Sequence, residues 1–319
     1  MPCKFNDALR DKMPKAKFSV TNWPAYNESL KRRADLTVWV ADDVAQYWAA
    51  RRRNTPGGQA RYSDLAIKIC LTLRVVFRLG LRQTQGFMRS IARLMNLDIP
   101  VPDFSTLSRR SNDLNIRQNT KSSEGTITLI IDSTGLKMHG GNGWNAEKHG
   151  AKKPRKTWRK LHLTFDPGAG DIVGSELTTE HVGDETALPD LIAEIDTTVS
   201  RFLADGAYDG RSVSNCLAIK FGPDIEIIVP PPRNAVPGTD PHRNRHLEQI
   251  ARHGRMKWQK QTGYNQRSRN KAQIGRWKAI IGGSLQARKF DNQITETRIV
   301  AKALNHMNAL GRAQFKRVS

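Results

Sequence analysis

The sequence has few cysteines, few acidic residues and no long apolar run. Its three cysteines, Cys3, Cys70 and Cys216, are an odd number, lie far apart and form no CxxC pair. This excludes a disulfide framework and suits a reducing cytoplasm. No apolar stretch approaches about 18 residues, and the start, MPCKFNDALRDK, has no apolar segment of the signal-peptide kind, so we expect neither a membrane helix nor a secretory signal. GxxxxGK[ST] and GxGxxG are both absent, and we therefore expect no nucleotide cofactor.

The shortage of acids leaves the chain strongly basic. Against 30 Asp and Glu stand 52 Lys and Arg, for a formal charge of +22 over 319 residues. Such a surface attracts polyanions, so nucleic acid is the leading partner class and an anionic membrane surface the second. The basic residues occur in blocks between amphipathic segments, which favours a folded nucleic-acid-binding protein in the cytoplasm, associated with the nucleoid.

The first part of the chain, residues 1–120, has a helical pattern. A helix is predicted in DDVAQYWAARRR, and a second from the apolar spacing of Leu65, Ile69, Leu73 and Val76. QTQGFMRSIARLMN predicts another, and after the break LDIPVPD, Asp103 or Ser105 can cap FSTLSRRSNDL. Helix, break and basic helix are typical of a helix-turn-helix, in which Arg109 and Arg110 would contact DNA. An ordinary helical bundle with a solvated basic edge fits the pattern equally well.

The second part, residues 121–319, follows a polar linker and is rich in short β runs: TITLIID, WRKLHLTFD, DIVGSEL, SRFLADGAYD and IEIIVPPP. A helical stretch, ETALPDLIAEIDT, lies between the third and fourth runs, and another, ETRIVAKALNHMNAL, lies near the end. Three successive strands followed by alternating helix and strand predict an α/β domain with a mixed sheet flanked by helices.

Two of the β runs lead directly into an aspartate. Leu129–Ile131 precede Asp132, and Phe202–Ala204 precede Asp205. A carboxylate at the end of a buried strand is costly unless it is paired or binds a cation. Each aspartate alone suits a turn or cap residue, but two of them in a basic protein favour a divalent-metal site for phosphodiester chemistry, completed by a third carboxylate on a neighbouring helix.

At this point the sequence resembles the insertion-sequence-five family of bacterial DDE transposases. The resemblance is carried in order by TPGGQARYSDLAI, VPDFSTLSRR, IDSTGLK, EKHG with WRKLH, ADGAYD and YNQR. It implies an RNase H-like catalytic core after an all-α, helix-turn-helix-like N-terminal region. It also implies Mg²⁺ (or Mn²⁺) held by the catalytic Asp132 and Asp205. The implied partners are double-stranded DNA at the element ends and the target, bound by a homo-oligomer.

The family signature in the last helix before the C-terminal one is Tyr, two residues, Arg, three residues, Glu, six residues, Lys. Tyr264, Arg267 and Lys278 match three of its points, and the resemblance implies that these three bind DNA. Lys271 stands at the position of the catalytic Glu. On a helix these positions share one face, whereas Arg269 and Arg276 would point away into solvent. At about 5 Å from a divalent ion and an effective dielectric of about 20, one charge contributes roughly 6 to 7 kcal/mol, repulsive for Lys271. Neither Glu248 nor Glu296 is in register to replace the missing acid.

A basic segment, EKHGAKKPRKTWRKLH, is predicted to lie along DNA through Lys152, Lys153, Arg155 and Lys156, or else to form a solvated hairpin. The favoured function is therefore a transposase impaired at Lys271. The alternatives are a non-catalytic DNA-binding protein derived from one, and an unrelated RNase H-like nuclease acting on RNA hybrids.

Overall fold

The computed structural model describes residues 17–54, 56–117, 125–139 and 158–318. The predicted basic segment around Lys152, Lys153, Arg155 and Lys156 lies outside these residues, apart from its end at Trp158–His162. The polar linker lies largely outside them too.

The N-terminal part is mainly helical and is joined to the C-terminus by a pair of strands. Its elements are β1 (Lys17–Val20), α1 (Trp23–Arg32), α2 (Leu36–Trp39), α3 (Asp64–Val76), α4 (Leu81–Leu94) and α5 (Phe104–Arg110), with 3-10 turns at Asp42–Tyr47 and Ser111–Asp113. β1 pairs antiparallel with β7 (Phe315–Val318). The region is therefore not entirely α.

Local sequence signals explain where these helices begin. The Ser63 hydroxyl accepts a hydrogen bond from the N–H of Ala66 at the start of α3, and Asp103 accepts from Ser105 and Thr106 at the start of α5. The prediction of a helix in DDVAQYWAARRR was wrong. Only a 3-10 turn forms there, and Ala49 then forms a β-bridge with Tyr62. The break between α4 and α5, residues 95–103, is longer than the three- or four-residue turn of a helix-turn-helix.

The second part contains a five-stranded mixed sheet, as predicted. The strands are β2 (Ile127–Lys137), β3 (Trp158–Asp166), β4 (Asp171–Thr179), β5 (Val199–Leu203) and β6 (Glu226–Ile228), in the order β4-β3-β2-β5-β6. β2, β3 and β4 are antiparallel neighbours, whereas β5 and β6 run parallel to β2. β2 does not end at Asp132, as the sequence suggested, because its pairing with β3 continues through Lys137.

Helices cover both faces of the sheet. They are α6 (Asp184–Ala193), α7 (Arg211–Phe221), α8 (Pro241–His253), α9 (Arg255–Gln261), α10 (Ser268–Ile280) and α11 (Phe290–Ala309). Leu129 and Ile131 of β2 pack in the cluster that contains α6 and α7 side chains, whereas Ile130 packs against Trp258 of α9 on the other face. None of the helices in the described residues is both long and apolar enough to span a bilayer.

Candidate active site

Asp132 lies within β2, and Asp205 follows the end of β5, the parallel strand beside it. The paired residues of the two strands end with Ile130 opposite Leu203, and Asp205 lies beyond this pairing. Since alternate residues of a strand share a face, the Asp132 carboxylate lies on the face of Ile130, which packs in one cluster with Leu203. A shared contact with Arg267 brings the Asp205 carboxylate close to that of Asp132.

Arg267 binds both carboxylates with one nitrogen. Its Nη2 lies 3.1 Å from Oδ1 of Asp132 and 3.0 Å from Oδ2 of Asp205. The Arg267 side chain is 14% exposed and that of Asp132 is 12% exposed, whereas Asp205 is 39% exposed. Asp205 also caps the 3-10 turn Gly206–Tyr208 through its Oδ1, which accepts the N–H of Ala207. The two acids are therefore held at one point by a shared guanidinium.

The surroundings raise the pKa of Asp132. Burial is the largest cause, and the nearby Asp205 charge acts in the same direction. The charges of Arg267 and Lys271 and the N–H of Ser133 oppose the rise. Lys271 is thus close enough to act on Asp132 by its charge, yet its side chain is exposed and no ion pair within 4 Å between described residues joins it to either aspartate.

The signature residues do not form one continuous helix. Tyr264–Arg267 is a 3-10 turn entered from Gly263 at φ +70°, and α10 begins only at Ser268. Tyr264 is half-buried against Trp258, with ring centroids 5.5 Å apart, and Lys278 is exposed. The prediction that Arg276 points into solvent was wrong. Its side chain is partly buried, and its Nη2 donates to the carbonyl of Leu304 at 3.1 Å.

Neither alternative acid reaches the site. Glu248 is exposed on α8 beside Arg252. Glu296 is buried in α11, where it accepts the N–H groups of Gln286 and Ala287 at 2.8 and 2.7 Å. Within the described part of the chain, no group of three or more His, Cys, Asp or Glu side chains is arranged to hold a metal ion.

A buried polar network on the opposite face of the sheet was missed by sequence reasoning. Asp184, the first residue of α6, lies 3.0 Å from Nζ of Lys160 and 3.2 Å from Nδ1 of His162, and it accepts the Tyr208 hydroxyl at 3.4 Å. Burial alone would raise the pKa of Asp184, but hydrogen bonds from His162, Lys160 and Ser133 outweigh it and hold that pKa well below its usual range. The sequence signal that could have indicated this network is the alternation of Lys160 and His162 in WRKLH. Ser133, which also bonds to Asp184, directly follows Asp132, and Tyr208 lies in the 3-10 turn that Asp205 caps. The network therefore packs against the same backbone segments that carry the two aspartates.

The basic residues of the N-terminal part differ in their freedom to bind a partner. Arg109 is exposed, but Arg110 is ion-paired with Asp64 and donates to the carbonyl of Tyr62. The sequence reading overlooked Arg89 and Arg93 of α4, which together with Arg61 line an open cavity of about 440 Å³. None of these three is in an ion pair with another described residue.

Two family models match the chain, and both are described as a transposase DDE domain. One covers residues 31–141 and the other residues 123–305, which is more than half of the chain.

Among solved structures, the chain is similar to a piggyBac transposase synaptic complex with hairpin DNA at 11% identity and a TM-score of 0.37, over 92% of this chain and 76% of that one. It is similar to a Drosophila P element transposase strand transfer complex at 12% identity and a TM-score of 0.29, over 66% of this chain and 48% of that one. The family assignment rests on the two family models, whose matches include Asp132, Asp205 and Lys271. The chain therefore belongs to the transposase DDE domain family.

Proposed function

We propose that the protein is the DNA transposase of a bacterial insertion sequence, with an RNase H-like core. It binds the terminal inverted repeats of its element as a homo-oligomer, and its Mg²⁺-dependent strand cleavage and transfer are impaired by Lys271. The observation that carries the proposal is the contact of Asp132 and Asp205 with the same nitrogen of Arg267, in a chain of the transposase family.

The two carboxylates fit one divalent ion. Members of the family generally use divalent metal ions, and Mg²⁺ is commonly bound by one or two carboxylates together with waters. Asp132 and Asp205 would hold it, and the ion would supply an activated oxygen nucleophile and neutralise charge on the phosphodiester. A protonated Lys271 cannot be a ligand, so the residues present do not fit a second ion that requires the third carboxylate.

The chain's own side chains have clear tasks in this proposal. Arg267 neutralises the aspartate pair and keeps the two carboxylates together when they are free of metal. Exposed basic residues bind the DNA backbone, with Arg109, Lys278 and the cluster of Arg61, Arg89 and Arg93 as candidates in the described residues. Lys152, Lys153, Arg155 and Lys156 are proposed to contribute to the same binding, and Arg110 does so only after leaving Asp64.

The decisive variant is Lys271→Glu. It supplies the missing carboxylate and removes a cation close to Asp132, so Mg²⁺-dependent cleavage of element-end DNA should rise by about 100-fold or more, since each 1.4 kcal/mol of transition-state stabilisation is tenfold in rate. Lys257→Glu, the same charge reversal at an exposed position of α9, should cleave no faster than the wild type. Equal, readily detected cleavage by the wild type and Lys271→Glu would show that Lys271 does not occupy the catalytic position.

A second function is favoured by the exposed Lys271 and by the lack of a third acid at the described site. The protein would then be a non-catalytic DNA-binding protein that retains element-end recognition. In the same assay it would shift labelled element ends but cleave none of them, whether Mg²⁺ or Mn²⁺ is supplied.

A further inference from the structure

Four arginines surround a second cavity on the other side of α10. The cavity measures about 470 Å³ and is lined by Arg33 after α1, Arg269 and Arg276 of α10, and Arg312 after α11. Aromatic side chains of Tyr26, Phe165 and Phe315 form part of its wall. No acidic side chain of the described residues lines it.

The hydrogen bonds that these arginines make with described residues leave most of their N–H groups without a protein acceptor there. Arg269, Arg276 and Arg312 each donate to a backbone carbonyl, those of Pro167, Leu304 and Gly168 respectively. Nε of Arg33 is buried without a hydrogen-bond partner in the described part of the chain. A guanidinium carries five N–H donors, so the cavity has a large surplus of donors over acceptors.

The charges in the cavity repel one another. The pKa of Arg276 is lowered to about 10, first by burial and then by the charge of Arg33, with Arg312 adding to the effect. Tyr26 and Asp171 oppose the decrease. Asp171 lies outside the lining, where its Oδ1 already accepts the amide of Asn308 at 2.6 Å, so it only partly balances the four cations.

We propose that this cavity binds a phosphate group. Guanidinium forks match the oxygens of phosphate, and an anion would satisfy the free donors and relieve the repulsion between the arginines. The bound group is either a phosphate of a DNA backbone or a free phosphate ion, and binding of a DNA phosphate rests on the proposed function. If the group belongs to DNA, the DNA strand extends across α10 from the cavity to the aspartate pair, since Arg269 is only two residues from Arg267.

The binding of phosphate to the cavity is tested first in the absence of DNA. Thermal unfolding of the full chain is measured with inorganic phosphate against sodium chloride of equal ionic strength. Phosphate should raise the Tm of the wild type in a saturable manner beyond the chloride control, because a ligand that binds the folded state stabilises it. Arg33→Gln/Arg312→Gln should lose this rise, and in chloride its Tm should equal or exceed that of the wild type. Arg211→Gln/Arg252→Gln, which removes two exposed charges on α7 and α8, should keep the rise.

The proposal is overturned if phosphate has no effect beyond chloride on the wild type, or if Arg33→Gln/Arg312→Gln retains the full rise. Arg276→Gln serves as a second variant and should also lose the rise.

Whether the phosphate belongs to DNA is tested by measuring the affinity of the protein for a fluorescent DNA duplex at several salt concentrations. Each lost phosphate contact lowers the slope of log K against log salt by about 0.9. A smaller slope for Arg33→Gln/Arg312→Gln than for Arg211→Gln/Arg252→Gln identifies the DNA backbone. Equal slopes together with a lost Tm rise identify a free phosphate. If the wild type binds no DNA but retains the Tm rise, the proposed function fails and the phosphate site stands.

Discussion

Arg267 is the residue on which the geometry of the aspartate pair depends. Its single Nη2 contacts both carboxylates, while its own Nε is buried without a hydrogen-bond partner among the described residues. Burial lowers the pKa of Arg267, but the charge of Asp132, followed by Tyr264 and Asp205, outweighs it, so that the pKa is raised overall. In the metal-free protein the guanidinium therefore acts as the counter-ion of the two acids.

Removing Arg267 should destabilise the metal-free protein. Arg267→Ala leaves Asp132 buried without its main counter-ion, and we expect a loss of about 2 kcal/mol in the free energy of unfolding. This is less than for a fully buried pair, because Asp205 is partly solvated. Denaturant unfolding in EDTA at pH 7 measures it, with Arg211→Ala, which removes an exposed arginine of α7, as the control.

Asp132→Asn should recover part of the loss in the double variant, since it removes the uncompensated charge. Strictly additive effects of Arg267→Ala and Asp132→Asn would contradict the coupling of the two residues.

At the scale of elements, α11 holds the loop that precedes it through a buried carboxylate. Glu296 accepts the N–H groups of Gln286 and Ala287 and lies 3.9 Å from the guanidinium of Arg74 in α3. The long helix thus links the loop before it to the N-terminal helices. The contacts of Glu296 are therefore structural.

The burial of Glu296 should appear as a pH dependence of stability. Burial raises its pKa above the ordinary value of 4.5, and Arg74 and the two backbone N–H groups offset this only in part. The folded state therefore holds the proton more tightly than the unfolded state. The resulting contribution is fully present below pH 4.5 and is lost as the pH rises through the raised pKa.

Glu296→Gln should abolish this component of the pH dependence. Urea unfolding between pH 4 and about pH 8 checks it, with Glu248→Gln, an exposed acid on α8, as the control. An unchanged pH profile in Glu296→Gln would place the titration elsewhere.

At the scale of the whole molecule, the two predicted regions share one hydrophobic core. Ile67, Leu71 and Leu73 of α3 belong to the same buried cluster as Leu163 of β3 and Val300 of α11. β1 and β7 also pair the two ends of the described chain. The division into residues 1–120 and 121–319 remains a prediction about function, since the packing links the regions.

A fragment of residues 125–319 should consequently be unstable. Each large apolar side chain that loses its partner costs about 1.5–3 kcal/mol, and a whole domain is stable by only about 5–15 kcal/mol. Circular dichroism should show a lower and broader melting transition than for the full chain, together with increased binding of a hydrophobic dye. Cooperative melting of the fragment at the Tm of the full chain would show that the second region folds independently.

Much of the local structure could be predicted because it depends on neighbouring residues. Apolar periodicity located α3, α4 and α11, and alternation and β-branched content located β2 to β6. Helices α1, α8 and α9 were not predicted. In α8 and α9 the apolar residues are sparse, and the cap of Asp240 before Pro241 was not recognised. The 3-10 turn at Tyr264–Arg267 was also missed, because a break in helical geometry follows from the positive φ of Gly263 and not from the spacing of the signature.

The sequence by itself determined the chemistry of the candidate site: a basic chain, two aspartates after apolar runs, and Lys271 at the position to which the resemblance assigns a glutamate. Only the tertiary structure decided how these groups meet. The parallel pairing of β2 with β5 placed Asp132 beside the turn that Asp205 caps, and the turn before α10 brought one nitrogen of Arg267 to both carboxylates. The packing of α1, α10 and α11 gathered four arginines around one cavity. Contacts between residues more than a hundred positions apart depend on the shared core, and no local pattern in the chain encodes them.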